Sequence, residues 1–449
     1  MEVSGVQPPS WVRESVFYQI FPDRFRNGDP GNDPPGVRPW GEVPTGRSFF
    51  GGDLWGILEK LDYLEDLGVT ALYLTPIFQA STPHRYDTID YFQVDPFLGG
   101  NGALRALVDE LHRRGMKLIL DGVFNHCGLG HQFFQDALAR GTASPYHDWF
   151  VWEREEPGYS CWAGCPDLPE WNHDNQKVRE YLVSVVRYWL LEYEIDGWRL
   201  DTVEYLPPDF VREIYCAVKE ANPEAYVLGE VMGLGTAWFR HRALDGVMHY
   251  RLWEALVRFF AEESWDATRF ARYLWHLWRS YPSWANFSSY TLLGSHDKPR
   301  FLTLAGGDVR KLRLAGAFLF AYPGAPAIYY GDEVGLLGGE DPDCRRCFPW
   351  EEVRPDNPIL SEFRKFVHLR REIPELRQGF LGFPYAQNRA LVLSRPYEGN
   401  EVLLALNAGG DEARLELPRG RFREMESGEF RMGTLRLPPY SYSFLKRVP

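Results

Sequence analysis

Three short apolar runs in this chain lead into carboxylates: Gly197-Trp198-Arg199-Leu200-Asp201, Tyr226-Val227-Leu228-Gly229-Glu230 and, further on, a run closing in Ser295-His296-Asp297. Each has the length and composition of a strand buried on both faces. Where parallel strands close into a barrel their C-terminal ends share one mouth, so Asp201, Glu230 and Asp297 would meet there. Convergent carboxylates suit cleavage of a glycosidic bond, which takes an ionised nucleophile and a protonated acid flanking the bond. Arg199 stands two residues before Asp201, so both side chains leave the strand on one face and the guanidinium keeps the carboxylate ionised. Glu230 closes an apolar strand, where desolvation raises its pKa toward acid and base duty. Asp297 would bind sugar hydroxyls and favour a distorted ring. His126 and His296 would offer neutral hydrogen bonds to hydroxyls; outside this constellation each would read as a satisfied structural residue. Three unrelated acids that cap helices or pair with arginine are the competing account. Their recurrence in chain order, with Arg199 and His296 alongside, favours a site.

The elements that must position these groups alternate. Strands are expected near 16–20, 69–74, 117–123, 195–201, 225–230, 245–250, 290–296 and 325–331, with helical spacing between them, as in Leu54, Ile57, Leu58, Leu61 and Leu64 before Gly68. Eight strands alternating with helices predict an α/β fold, a (β/α)8 TIM barrel. The rhythm breaks at 124–175, a stretch rich in Gly, Pro, His, Trp and Cys and too long for an ordinary connection. It is expected to be an inserted domain after strand 3. Its Trp149, Trp152, Trp162 and Trp171 are expected to divide between a small core and a groove wall. After about residue 380, short alternating strands at 390–393, 401–406, 413–417 and 434–437 predict a C-terminal antiparallel β-domain. The expected organisation is barrel at 1–123, insertion at 124–175, barrel again at 176–379 and β-domain at 380–449.

A chain of 449 residues with 45% hydrophobic and 15% aromatic content is a folded globular protein. The formal net charge of −13 argues against a nucleic-acid partner and suits a neutral substrate. No apolar run reaches membrane-span length and the first ten residues carry no signal-peptide pattern, so a cytoplasmic location without a membrane partner is expected. Cys161/Cys165 and Cys344/Cys347 are closely spaced, but the pairs lie far apart and lack the turns of zinc knuckles; free thiols or a local disulfide are expected. A second oxygen-rich constellation, Asn27-Gly28-Asp29-Pro30-Gly31-Asn32-Asp33 followed by Gly51-Gly52-Asp53, suits calcium although its spacing is not an EF-hand. An Asx-rich turn, with Asp53 capping a helix that begins at Leu54, accounts for the same residues, and spacing leaves both open.

Asp121-Gly-Val-Phe-Asn125-His126, Gly197-Trp-Arg199-Leu-Asp201, Glu230 and Ser295-His296-Asp297 resemble, in order and spacing, the four sequence regions of the α-amylase family, glycoside hydrolase family 13. Phe17 to Phe25, His84-Arg-Tyr86-Asp87, Asp245 to Tyr250 and Gly324 to Glu333 resemble further segments of its neopullulanase, cyclomaltodextrinase and maltogenic amylase branch. The resemblance implies catalysis by Asp201, Glu230 and Asp297 and substrate contacts by His84, Tyr86, His126, Arg199 and His296, with Tyr86 stacking at the cleavage subsite. It also implies calcium held by Asn27, Asp29, Asn32, Asp33, Asp53 and the Gly51 carbonyl. The implied activity is retaining hydrolysis of α-1,4 and also α-1,6 glucosidic bonds in malto-oligosaccharides, cyclodextrins or pullulan, with an α-glucan as partner. Transfer between glucans through the same covalent intermediate is the alternative. A non-catalytic binding relative would be expected to lack one of the three carboxylates, and all are present. Two departures stand out. The branch's extra N-terminal β-domain has no counterpart, so the dimer that swaps it is not expected and a monomer is. After Asp201 comes Thr202-Val203-Glu204-Tyr205, unlike the branch's Val-Ala-Asn-Glu, on the leaving-group side.

Overall fold

The computed structural model describes residues 7–448. Eight parallel strands form the central sheet: β1 (Phe17–Ile20), β2 (Ala71–Leu74), β3 (Lys117–Gly122), β4 (Gly197–Leu200), β5 (Tyr226–Gly229), β6 (Gly246–Val247), β7 (Tyr290–Leu292) and β8 (Ala325–Tyr329). They pair in the order β6-β5-β4-β3-β2-β1-β8-β7. Met248, one residue past β6, bridges in parallel to Tyr290 of β7 and closes the ring. Alternate residues face opposite ways. Phe17, Tyr73, Tyr226, Leu228, Tyr290 and Leu292 pack in one cluster inside the barrel. Tyr18, Leu72, Leu118, Leu120, Trp198 and Val227 belong to the layer shared with the surrounding helices. Both faces are therefore buried, which is why these strands read as unbroken apolar runs.

Three expectations about elements are corrected. The helix expected through Leu54 to Leu64 is two, Leu54–Glu59 and Leu61–Leu67, meeting at Lys60; Gly68, at φ +91°, ends the second as expected. The strands expected at 245–250 and 290–296 are regular only over Gly246–Val247 and Tyr290–Leu292, with the Met248 bridge just beyond the first. Between β2 and β3 an unforeseen antiparallel hairpin, Phe78–Ala80 with Thr88–Val94, rises from the barrel.

The stretch 124–175 holds one helix of more than three residues, Gln132–Arg140, and isolated bridges such as Phe150 to Trp171 and Cys161 to Pro169. Aromatic packing substitutes for regular structure. Trp171 is buried and stacks on Phe150 at 4.9 Å, and Phe134 packs against Phe150, Trp152 and Tyr159. The C-terminal region forms a six-stranded antiparallel sheet and a two-stranded one. The four expected strands are present, with four more at Gly382–Gln387, Arg421–Glu424, Phe430–Arg431 and Ser441–Val448. All six cysteines are free thiols. No helix among the described residues is long and apolar enough to cross a membrane.

Candidate active site

Asp201 follows the last residue of β4 and Glu230 the last of β5; Leu200 and Gly229 are register partners, so the two acids emerge side by side. Arg199 is the register partner of Asp121 on β3 and is fully buried. Its guanidinium meets three carboxylates: Asp121 at 2.8 Å, Asp201 at 2.6 Å and Glu230 at 2.9 Å. Glu230 also accepts the Thr202 N–H at 2.8 Å. Asp297 lies five residues past β7, paired with His296 at 2.9 Å and Arg345 at 3.2 Å. A cleft of about 410 Å³ brings Asp201, Glu230 and Asp297 together with His84, Tyr86 and His126. Of the expected substrate contacts, Arg199 and His296 stand behind the wall and hold the residues that line it.

The hairpin between β2 and β3 explains how His84 and Tyr86 are aimed. Asp87 accepts from the Ser81 N–H and hydroxyl and from the Thr82 hydroxyl, closing the turn. Buried Arg85 pairs with Asp95 at 2.7 Å and donates to the Pro83 carbonyl, anchoring the turn from below. Its neighbours on either side then point into the cleft. The Tyr86 hydroxyl donates to Asp121 at 3.0 Å and meets His296 Nε2 at 2.5 Å, and the Tyr86 ring lies nearly parallel to the His296 ring. His296 Nδ1 is 2.7 Å from the Gln19 amide.

Burial dominates the electrostatics. It raises Asp201 well above the ordinary carboxylate range; Arg199 opposes this, and Glu230 and Asp121 reinforce it. Burial raises Glu230 too, with Arg199 opposing and Asp297 adding. Arg199 favours the ionised form of Asp201, as expected, but one guanidinium is divided among three acids and burial acts against it. Burial works against ionisation of Asp297 as well, yet His296, Arg345 and Arg199 hold it well below its ordinary range. Burial pulls His84 down to about 4 and His126 down to about 3, so both are neutral near pH 7. His126 Nε2 is buried without a protein partner, a polar atom free for a ligand hydroxyl.

Several cleft residues escaped the sequence. Arg345 and Asp341 pair at 2.9 Å on the wall beside Asp297. In their segment, Asp341-Pro-Asp-Cys-Arg345-Arg346, the charge density is the signal rather than the cysteine spacing. Of the insertion's four tryptophans Trp162 lines the cleft, and Trp149, Trp152 and Trp171 belong to the aromatic packing. Tyr205 and Met232 also line it.

The oxygen-rich loop does assemble. Asp53 caps the Leu54–Glu59 helix through the Gly56 N–H and also accepts from Gly28 N, Asp29 N and the Asn32 amide. Asp29 caps the 3-10 turn Pro30–Asn32. The turn-and-cap arrangement is therefore present. It leaves two buried carboxamide oxygens, Asn27 Oδ1 and Asn32 Oδ1, without a protein partner. Asn27 bonds Asp33 at 2.7 Å, and at Gly51, φ +78°, a Cβ would meet Asp33 Oδ1 at 2.3 Å and Asn27 Nδ2 at 2.6 Å. Among the described residues no three His, Cys, Asp or Glu side chains converge on a metal position. The donor set here is hard oxygen, with carboxylates as well as carboxamides and a backbone carbonyl, and it fits calcium.

A sequence profile described as "Alpha amylase, catalytic domain" matches residues 19–372. The chain is 43% identical to a cyclomaltodextrinase from Geobacillus thermopakistaniensis, over 97% of this chain and 77% of the relative. It is 42% identical to neopullulanase 2 from Thermoactinomyces vulgaris, over 90% of this chain and 71% of the relative. Among solved structures, a cyclic α-maltosyl-(1→6)-maltose hydrolase from Arthrobacter globiformis superposes with a TM-score of 0.92 at 37% identity, covering 98% of this chain and 99% of the other.

Proposed function

The chain belongs to the α-amylase family of glycoside hydrolases, and from that premise we propose that it hydrolyses α-1,4 and also α-1,6 glucosidic bonds in malto-oligosaccharides, cyclodextrins or pullulan, with retention of configuration. The observation that carries this reading is the shared guanidinium: Arg199 holds Asp201 and Glu230 on one cation at the floor of a cleft whose wall carries Asp297. Asp201 attacks the anomeric carbon while Glu230 gives the pair's proton to the leaving oxygen. The C1–O bond breaks as an ester to Asp201 forms. Glu230, now a base, takes a proton from water, whose oxygen displaces Asp201 and regenerates both acids. Asp297, held below the ordinary carboxylate range beside His296 and Arg345, holds ring hydroxyls, with neutral His84 and His126 beside it. Tyr86, its hydroxyl tied to Asp121, is the stacking face beneath the reacting sugar.

The reading includes a calcium ion held by Asn27, Asp29, Asn32, Asp33, Asp53 and the Gly51 carbonyl, supported by the two unpartnered carboxamide oxygens. Bound there it would supply no chemistry at the cleft and would tie the loop after β1 to the helix that follows. It also includes a cytoplasmic location, which six free thiols suit.

Product analysis over time on maltotriose, pullulan and β-cyclodextrin tests the reading. Glucose, maltose or panose as the products supports hydrolysis; products longer than the substrate point to transfer instead. Proton NMR of the first product must show the α-anomer, and initial β-anomer overturns the double displacement.

A further inference from the structure

His296 is held from several sides, and its contacts decide which ring nitrogen carries a proton. Its carbonyl accepts from Arg345 Nε at 2.8 Å and from the Cys344 thiol at 3.2 Å, which fixes the backbone. Nε2 lies 2.5 Å from the Tyr86 hydroxyl and 2.9 Å from the Asp297 carboxylate. Nδ1 lies 2.7 Å from the Gln19 amide nitrogen. Gln19 is on β1, two residues past Phe17, so its side chain enters the barrel interior as that of Phe17 does. It is fully buried, and its register partner Tyr73 donates a hydroxyl to Asp121 at 2.6 Å.

A carboxamide nitrogen has hydrogens to give and no lone pair to offer. The Nδ1 opposite it must accept, and a neutral ring then carries its proton on Nε2. There the N–H serves the Asp297 carboxylate and the Tyr86 oxygen, whose own hydrogen goes to Asp121 at 3.0 Å. The other neutral tautomer would set two N–H groups against each other and turn a bare lone pair toward Asp297. Turning the amide over does not rescue that tautomer, because Nε2 would still meet the carboxylate without a proton. It would also put the Gln19 NH2 where Gln19 Oε1 now lies buried without a partner, stranding an amino group in place of one carbonyl oxygen. We propose that Gln19 is a positioning residue: its amide fixes His296 in the Nε2–H form and, through it, sets the Asp297 carboxylate and the Tyr86 ring at the reacting sugar. Gln19 acts only through His296. The inference rests on the functional reading above, in which Asp297 and Tyr86 engage that sugar.

The test compares Gln19→Met, which fills the space without a donor, with Gln19→Glu, which keeps the shape but presents an acceptor to Nδ1 and draws a proton there. Each is measured in two ways: kcat and KM on maltotriose, and the nitrogen-15 spectrum of the ring nitrogens in histidine-labelled enzyme. The chain has 11 histidines, so the His296 signals are assigned as those lost in His296→Asn. The unaltered chain is expected to show a protonated Nε2 and a bare Nδ1 near pH 7. Gln19→Met should mix the two tautomers and lower kcat about tenfold with KM within about twofold, because Asp297 and Tyr86 grip the distorted ring of the transition state. Gln19→Glu should protonate both nitrogens and lower kcat as well. An amide with a merely structural role would shift the melting temperature of both variants and leave tautomer and kcat where they were. A proton on Nδ1 in the unaltered chain, whether in a neutral ring or an imidazolium, overturns the proposal. So does a Gln19→Met kcat within about twofold of the unaltered value. If neither variant folds, the spectrum of the unaltered chain decides alone. Failure of the unaltered chain to hydrolyse maltotriose, pullulan and β-cyclodextrin would instead overturn the functional reading, and this inference with it.

Discussion

At the scale of residues, the cleft converts burial into chemistry. Asp201 and Glu230 each sit where burial resists ionisation, and the cation that opposes it is shared with Asp121. The pair should keep its proton above the usual carboxylate range, so activity should extend toward neutral pH and fall once that proton is lost. Glu230→Gln is expected to lower kcat/KM by about 10²–10⁴-fold on substrates with a sugar leaving group and to remove the alkaline limb of its pH profile. A variant that keeps the limb would assign that proton elsewhere. Asp201→Asn should abolish turnover with the melting temperature little changed. Glu333 shows the same physics outside the cleft. It is fully buried, accepts the Tyr18 and Tyr63 hydroxyls at 2.6 and 2.7 Å, and is raised by burial from 4.5 to about 7. A folded-state pKa above the unfolded one means that its stabilising contribution is complete below pH 4.5 and is lost as pH rises through 7. Glu333→Gln retains an acceptor for both tyrosines and cannot ionise. Relative to the unaltered protein it should gain about 1–3 kcal/mol between pH 5 and pH 8, read by denaturant unfolding at the two values. Parallel pH dependences would show that Glu333 does not titrate in that window.

At the scale of elements, the loop after β1 separates two roles that coincide in its sequence. Asp53 is a helix cap whatever else it does, because four donors already address its carboxylate. Asn27 and Asn32 are the residues that an ion would satisfy. Saturating calcium at about 100 times its Kd should stabilise the fold by roughly 2.7 kcal/mol, seen as a melting temperature that falls on chelation and recovers on re-addition. Asn32→Ala should blunt the response to calcium while leaving the cap intact. A melting temperature indifferent to chelator leaves the turn-and-cap account alone standing. The legibility of elements followed the same division between pattern and contact. Strands buried on both faces, such as Tyr226–Gly229, were plain because burial imposes composition along the whole run. The hairpin that aims His84 and Tyr86 was not, since its pairing register shifts twice and breaks any alternation. The strand Ser441–Val448 went unseen although it pairs on both sides, because Ser441, Ser443, Lys446 and Arg447 dilute its apolar signal. Asp201, Glu230 and Asp297 were legible as strand-end acids. Arg345 was not, because its role arises from loops that meet only in three dimensions.

At the scale of the whole molecule, two buried arginines meet at one helix end beside the seam between the barrel and the C-terminal sheet, and Arg395 crosses it. The helix Val309–Ala321 delivers its last carbonyls into this seam. Arg370, from the helix Pro358–Glu372, donates to the carbonyls of Tyr322, Gly324 and Leu376. Arg395, from the strand Ala390–Tyr397, donates to those of Ala321 and Gly379. Both side chains are fully buried, and burial draws Arg370 down to about 9 and Arg395 well below its ordinary value. Burying a guanidinium costs free energy, so the sign of a substitution depends on what it leaves behind. Arg395→Met fills similar space without the charge and relieves that cost. It also orphans two buried carbonyls at about 1–3 kcal/mol each, beside a helix C-terminus whose dipole favours a cation. The orphaned acceptors should dominate. Arg395→Met is therefore expected to lose about 2–4 kcal/mol in denaturant unfolding. Hydrogen exchange should quicken first in Ala390–Tyr397 and Asn400–Asn407, the strands next to the seam, and later in β4 and β5. A variant as stable as the unaltered chain would mean that the apolar contacts of Leu391, Leu393 and Leu404 hold the two parts together without the arginines.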